Sequence, residues 1–454
     1  MMTVSSSVDW AQAEMSGAKT WDKRCRSSLI SMCSSLFTHL GLSLSSALGP
    51  ALRQAAHRIV SNAETTPGGL LMGHRQQTAE RGSGSSLILI AQDTTEFDYS
   101  SHGSTTGLGH LRSQHSRGLA AHAGLAMLPD GTPLGVVGLS VWARDPDELG
   151  KSKTRNQRAT RDKESQKWID GVISAQEAFR PDQDLLFIQD RESDIFAFIA
   201  APRRPNTHLL IRASRQRMVR TDDAEPTKLF DAIDNAPVLG TFKVDVPRKP
   251  NEPSRTVTLE IRIKQMTALA PANQLPCEIS EPQPIWVIKA GEASPLDAEP
   301  ISWTLISTLP VETLDDGIRM VQYYARRWMI ERLHYTLKSG CRAEQLQIDD
   351  ADSIKNVLAL YYIVAWRVMY LAYQSRSRPD EPAAATFSKI ELIVLSKMSK
   401  TKISTLEEGV RQIAKIGGYE PYKNGPPPGV KTIWLGYRKL EAMVEFYQQM
   451  QNSD

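Results

Sequence analysis

Three observations along this chain predict an α/β fold in which a mixed sheet is flanked by helices. Short continuous apolar runs, "SLILIA" at 86–91 and "DLLFIQ" at 184–189, have the length and composition of buried central strands. Segments of helical periodicity lie between and after them. The stretch 238–309 is Pro-rich and alternates, as in "RTVTLEIRIK", "PIWVIKA" and "ISWTLIST", which reads as an all-β insertion.

In chain order, residues 1–70 read as a helical domain. Leu29, Cys33, Leu36, Phe37 and Leu40 recur at helical spacing, and Gly41 is placed to end that helix. Pro50 opens "PALRQAAHRIV", with Leu52, Ile59 and Val60 inward and Arg53 and His57 on another face. A small DNA-binding module and an ordinary helical cap both fit this pair. The α/β domain spans 71–374. After "SLILIA", two strands surround the turn Pro129-Asp130-Gly131, "SQKWIDGVISAQEAFR" is helical, and "DLLFIQ", a helix from Asp194 and "HLLIRA" follow. Beyond the insertion a long helix runs from about Leu314 to Ser339. The apolar "IKNVLALYYIVAWRVMYLAYQS" reads as a buried helix, and 375–385 as a linker into a helical C-terminal domain, 375–454. There Thr405 and Glu408 form a capping box for a helix that stops at Gly417-Gly418. Ile433, Tyr437, Leu440, Val444 and Tyr447 then make a short seam that fits packing on its own chain or on a second copy.

The totals bound the answer. A chain of 454 residues, 41% hydrophobic and 23% charged, is expected to be soluble and to form two or three domains. No run of 18 apolar residues points to a membrane span, and the N-terminus lacks the apolar core of a signal peptide. Cys25, Cys33, Cys277 and Cys341 are scattered, so neither a zinc site nor a disulfide framework is indicated. A cytoplasmic protein without a membrane partner is expected. The net charge of +3 conceals local concentration: 151–168 holds seven Lys or Arg against Asp162 and Glu164. Residues 203–220 hold six Arg, Arg212 and Arg215 among them, and no acid. Such stretches can track a phosphate backbone or simply solubilise loops.

The stretch "YYARRWMIERLHYTLKSG", 323–340, carries the sharpest signal. At about 100° per residue, Tyr324, Arg327, Glu331 and Lys338 project within a stripe roughly 60° wide. Met329, Ile330, Leu333 and Leu337 fall on the opposite, buried side. A solvated face with ion pairs one turn apart is the plain alternative. Two further carboxylates stand at strand exits, where open α/β sheets place their sites: Asp93 in "AQDTTEFDYS" and Asp190 in "QDRESDIF". Each alone reads equally as a turn former or cap. Together with Glu331 they offer hard oxygen ligands suited to two Mg²⁺ or Mn²⁺ ions. A metal pair of that kind serves in-line phosphoryl displacement by water or a DNA 3′-hydroxyl, with Arg327 and Lys338 gripping phosphates.

On these residues the sequence resembles the bacterial cut-and-paste DDE transposases of insertion sequences, in particular the Tn-five transposase type. The matching elements are "QDTT" around Asp93, "DRESDI" around Asp190, and the Tyr324, Arg327, Glu331, Lys338 signature. "ISWTLISTLPVE" also matches, and "VDW", "KESQKW" and "IAKIGGY" match more weakly. The resemblance implies a ribonuclease-H-like fold with the β insertion before the Glu helix, and Asp93, Asp190 and Glu331 as catalytic metal ligands. It further implies a 1–70 domain that binds transposon ends, a dimerising 375–454 domain, and a homodimer in the synaptic complex. Double-stranded DNA, both inverted-repeat ends and target, would be the partner, and the work would be done on the bacterial nucleoid. Excision would pass through nicking and hairpin intermediates before strand transfer. Trp303 matches the aromatic that stacks on a flipped base; a buried insertion tryptophan is its plain alternative.

The chain departs from the family where Ser116-Arg117-Gly118 is followed by Leu119-Ala120-Ala121, in place of bulkier aromatics. Its N-terminal segment shares little beyond "DW" and a basic cluster at Lys23, Arg24 and Arg26. Two other classes fit parts of the pattern: a catalytically decayed DNA-binding or dimerising regulator, and a two-metal nuclease without strand transfer.

Overall fold

The structure is a computed structural model that describes residues 7–20, 22–113, 115–148, 157–221, 225–246, 254–293, 300–422 and 425–451. The first part of the basic stretch 151–168, residues 151–156, lies outside the described residues, as do parts of the insertion at 247–253 and 294–299. The described helices and strands begin with α1 (Ser7–Met15), α2 (Lys23–Thr38), α3 (Leu44–Ala47), α4 (Pro50–Val60) and α5 (Pro67–Gly82). Next come β1 (Leu87–Asp98), β2 (Gly109–His110), β3 (Arg117–Met127), β4 (Pro133–Trp142), α6 (Gln166–Gln176), β5 (Asp184–Gln189) and α7 (Phe196–Ala200). They continue with β6 (Thr207–Arg212), β7 (Met218–Arg220), β8 (Thr227–Lys228), α8 (Leu229–Asp234), β9 (Val238–Val246) and β10 (Arg255–Ala268). Then follow β11 (Gln283–Glu292), β12 (Ser302–Ser307), α9 (Leu314–Ala325) and α10 (Trp328–Tyr335). The last are α11 (Ala351–Ser377), α12 (Lys389–Ser399), α13 (Leu406–Ile416) and α14 (Val430–Gln451). The class is mixed α/β with helices at both ends.

The chain divides into two compact units. The helical unit contains Met1–Gly84, Thr94–Glu148 and Met329–Asp454; the strand-rich unit contains Ser85–Asp93 and Leu149–Trp328. The cut therefore does not follow the sequence: helices from both termini belong to the same unit.

In the helical unit α11 is the centre. It is apolar on nearly every face, so it can be stable only where every face is covered. Neighbours α5 and β4 pack on it. Trp366 donates its indole N–H to Pro133 O at 3.1 Å, and Asn356 donates to Val60 O at 2.9 Å and Thr65 O at 3.1 Å. By length and composition α11 alone among the described helices could cross a membrane, yet 83% of that apolar window is buried inside the protein. The predicted α2 core, Leu29, Cys33, Leu36, Phe37 and Leu40, is buried, and Gly41 has the left-handed φ of +78°. The α14 seam packs on its own chain: Ile433, Tyr437, Leu440 and Val444 are buried, with α12, α13 and α2 as neighbours.

Residues 375–385, expected as a linker, form instead the end of α11 and a tied-down return. Ala383 N–H bonds Ser404 O at 2.9 Å, Leu406 N–H bonds Glu381 O at 2.7 Å, and Ala383 is buried. Several backbone groups of the loop are satisfied by the approach to α13, which ties the segment down although residues 376–380 stay exposed.

In the strand-rich unit the first half of β1 lies parallel to β5, and β5 parallel to β6. From there β6 pairs antiparallel with β12, β12 with β11 and β11 with β10; β9 and β7 both pair with β10. The all-β insertion is thus hydrogen-bonded onto the parallel strands through β12. Helix α9, opened by a Thr313–Asp316 capping box, packs on β9, β10 and β11. Gly317 brings it close, its missing Cβ leaving room for Ile261 and Ile263.

The single helix expected from Leu314 to Ser339 is broken into three pieces. Arg326 and Arg327 N–H groups reach Tyr323 O and Tyr324 O, closing three-residue turns that end the α-helical ladder. After α10, Thr336–Gly340 winds as a π-helix. Each change shifts the 100° spacing, so the four-residue stripe is not a straight line on one helix.

Candidate active site

Only Asp190 stands at a strand exit; Asp93, expected just past its strand, lies inside β1, which runs on to Asp98, and register sets the two side by side. Ala91 is the partner of Ile188 across the parallel β1–β5 pair. Two residues further along each strand stand Asp93 and Asp190, on the same face because side chains alternate with period two. Between them Gln189 donates its amide to Gln92, a side-chain bond that fixes the neighbouring position. Asp190 also caps the short turn that follows, its Oδ1 accepting Glu192 N–H at 2.8 Å and its carbonyl the Ser193 hydroxyl at 2.8 Å. Burial, with the charges of Asp93 and Glu192 adding to it, raises the proton affinity of Asp190; Glu192 N–H and Arg327 oppose this. The capping role foreseen as the plain alternative is therefore real, and the carboxylate is also held against a second one.

Around this pair the strand-rich unit gathers four of the residues singled out from the sequence. Tyr324, at the end of α9, is 5% exposed. Its hydroxyl bonds the Arg327 and Arg212 guanidinium groups; burial raises its pKa while the two cations lower it. Arg212 lies at the end of β6 opposite Leu305 of β12. Burial lowers its pKa, and Arg191 and Arg327 add positive charge beside it. Trp303, on β12 two residues before Leu305, meets the Tyr324 ring edge-on, with centroids 5.2 Å apart and planes at 70°. Trp303 is half-buried, not sealed in the core. Arg215 is exposed, and its backbone N–H is held by Asp194 at 2.8 Å.

Asp194 is a residue that sequence reasoning passed over except as a helix start. It is fully buried, accepts the N–H groups of Ser214 at 2.7 Å and Arg215, and pairs with Arg217. The second aspartate in "DRESD", four residues beyond Asp190, was the available signal.

Glu331 and Lys338 belong to the helical unit, on α10 and in the π-helical turn, and both are half-buried. Met329, Ile330, Leu333 and Leu337, expected inward, are buried. Lys338 Nζ donates to Glu96 O, lies 3.3 Å from Glu344 Oε1 and sits 5.6 Å from the Phe97 ring centroid. Its ammonium is thus anchored on the outer half of β1. The N-terminal cations are on the surface of the same unit: Lys23 and Arg24 are exposed at the start of α2, Arg26 is half-buried, and Arg53 is exposed on α4. Arg24 pairs with Asp22 at 3.5 Å, an exposed contact of little energetic weight.

Another cluster of ligand type is His39, Glu441 and Glu445, whose donor atoms lie within 4.8 Å of one another. It sits between α14 and the end of α2, and sequence reading did not single it out.

No protein-family model matches this sequence.

Proposed function

We propose that the protein is a DNA transposase that acts by metal-dependent phosphoryl transfer, on a sheet of ribonuclease-H-like type. The observation that carries this reading is the side-by-side placement of Asp93 and Asp190 just beyond the paired part of two adjacent parallel strands, with the Arg212–Tyr324–Arg327 cluster and Trp303 in the same unit. Supporting the fold reading, β1 runs on from the parallel strands to neighbour β3, which forms a hairpin with β4.

The donor set suits divalent Mg²⁺ or Mn²⁺. Two adjacent carboxylates, one with proton affinity raised partly by the other, form an arrangement that a hard cation relieves. Asp93 and Asp190 would hold it, and Glu331, four residues beyond Arg327, is the proposed third ligand. When bound, the ions supply charge neutralisation at the scissile phosphate and activation of the attacking oxygen. Arg327 and Arg212 bind and orient phosphate oxygens, their planar donors suited to that geometry. Tyr324 fixes both guanidinium groups through its hydroxyl. Trp303 offers a half-exposed ring for a base taken out of the stack. Lys338 and the N-terminal cations Lys23, Arg24, Arg26 and Arg53 contribute further phosphate contacts. A dimer of the protein on paired DNA ends completes the reading.

The test is a cleavage assay on supercoiled DNA carrying the native element's inverted ends, with Mg²⁺ or EDTA, for wild type and Glu331→Ala. Metal-dependent excision with hairpinned ends, lost in the variant, is expected. Nicking without excision would replace the reading with a two-metal nuclease, and binding without cleavage under any metal with a non-catalytic regulator.

A further inference from the structure

A second feature of the strand-rich unit lies apart from the carboxylates. The start of α7, the 213–218 loop and the β10–β11 connection enclose a cavity of about 610 Å³, a volume in the range that holds small ligands. None of Asp190, Trp303, Tyr324 or Arg327 lines it.

Its walls are of two kinds. Phe196, Met218 and Leu275 make an apolar side, and Met218 is 42% exposed there despite its chemistry. Lys163, Arg215 and Arg217 make a cationic side. The one lining carboxylate, Glu278, is engaged in accepting Thr160 N–H at 2.6 Å. Among the described residues the side chains of Lys163 and Arg215 have no carboxylate partner.

Arg217 is the built part of the site. Its side chain is 8% exposed and is pinned by the fully buried Asp194, which also holds the backbone of Ser214 and Arg215. Its Nε is buried with no hydrogen-bond partner. A guanidinium held by Asp194, two further cations and an apolar side match a molecule with an anionic end and a flat, weakly polar body.

We propose that this cavity binds one nucleotide of a DNA strand, its phosphate toward Lys163, Arg215 and Arg217 and its base against Phe196, Met218 and Leu275. The choice of DNA rests on the transposase reading, whereas the phosphate-and-ring chemistry rests on the cavity alone. Such a subsite would hold a single-stranded stretch away from the cutting centre.

The test is fluorescence anisotropy of a labelled thymidine hexanucleotide with the full-length protein in EDTA, so that no cleavage is involved. Lys163→Ala/Arg215→Ala and Met218→Asp are each expected to weaken binding at least tenfold, while Lys402→Ala, at an exposed position of the helical unit, changes it less than twofold. Thymidine monophosphate is expected to compete, and inorganic phosphate at equal concentration is not. Circular dichroism confirms that the variants are folded. The proposal is overturned if the hexanucleotide does not bind, if the cavity variants bind like wild type, if Lys402→Ala weakens binding as much as they do, or if phosphate competes as well as the nucleotide. Intact nucleotide binding by a protein that never cleaves DNA would sink the transposase reading and leave the cavity assignment standing.

Discussion

Tyr324 serves three neighbours at once, since its ring meets Trp303 and its hydroxyl meets Arg212 and Arg327. The Trp303 ring is therefore held in orientation while half of it stays open to solvent, the condition for receiving a base without reorganising. Trp303→Ala is expected to slow hairpin formation by ten- to a hundredfold and first-strand nicking by less than threefold, as judged by denaturing gels of time courses. Stacking of about 1–3 kcal/mol sets that range; equal slowing of both steps would assign the ring to packing alone. A second residue carries a pH prediction. Burial, reinforced by Glu391 and Glu445 and opposed by His39, pushes Glu441 up to about 7 from its usual 4.5. A carboxyl whose folded value is raised binds its proton more tightly in the folded state, so its destabilising effect grows as pH rises from about 4.5 to 7 and is complete above 7. Glu441→Gln should then be more stable than wild type at pH 8, and equal to it at pH 4.5. Because the group is partly solvated, the gain should be on the order of 1 kcal/mol. Urea melts at the two pH values measure it, and a gain that is the same at both would remove the titration from the explanation.

Among the elements, α13 and α14 cross on glycine. A Cβ on Gly436 would meet Ile413 O at 1.8 Å, and one on Gly417 would meet Thr432 O at 1.9 Å. Both obstacles are backbone, which cannot swing aside, so Gly436→Ala must separate the helices. The expected cost is about 1–3 kcal/mol, with faster proteolysis within 417–430, while Gly429→Ala, with open space around it, should leave the melt unchanged. Sequence could reveal little of this crossing, because a glycine's neighbour across a helix pair is set by tertiary contact. What sequence did reveal was local. The buried strands, the Thr405–Glu408 box and the inward face of α10 follow from period, capping chemistry and apolar content, which neighbours in the chain decide. The break at Arg326–Arg327 was hidden, since "YYARRWMIE" holds no glycine or proline, whereas Thr336, Ser339 and Gly340 hinted at the end of the helix but not at its π-helical form. Likewise "SRSRPDEPAAA" has a linker's composition, and only its hydrogen bonds to the approach of α13 make it structured. For the site, Asp190 was legible as a strand exit, whereas β1 continues past Asp93 to Asp98, and the adjacency of the two carboxylates needed the β1–β5 register. Asp194 was hidden because its partners lie about twenty residues on.

For the molecule as a whole, the unit boundaries fall between Asp93 and Thr94 and between Trp328 and Met329. The chain therefore assigns two of the proposed metal ligands to one unit and Glu331 to the other. A cation held by Asp93 and Asp190 alone would stabilise the strand-rich unit and leave the melting of the helical unit untouched. Mass action sets the size: Mn²⁺ at a hundred times its dissociation constant adds about 2.7 kcal/mol to whatever unfolds with loss of the site. Calorimetry of the DNA-free protein is expected to give a Mn²⁺-dependent upward shift of the transition that includes Asp93 and Asp190. Asp190→Ala should abolish the shift, and Glu331→Ala should leave at most a small one confined to a single transition. Because these variants also remove a charge, the comparison is made within each variant with and without Mn²⁺, which cancels their own effect on stability. A full, undiminished shift in Glu331→Ala would take Glu331 out of the ligand set. The cleavage reading would then have to rest on Asp93, Asp190 and a ligand from elsewhere in the strand-rich unit, of which Glu192, beside Asp190, is the nearest carboxylate in sequence.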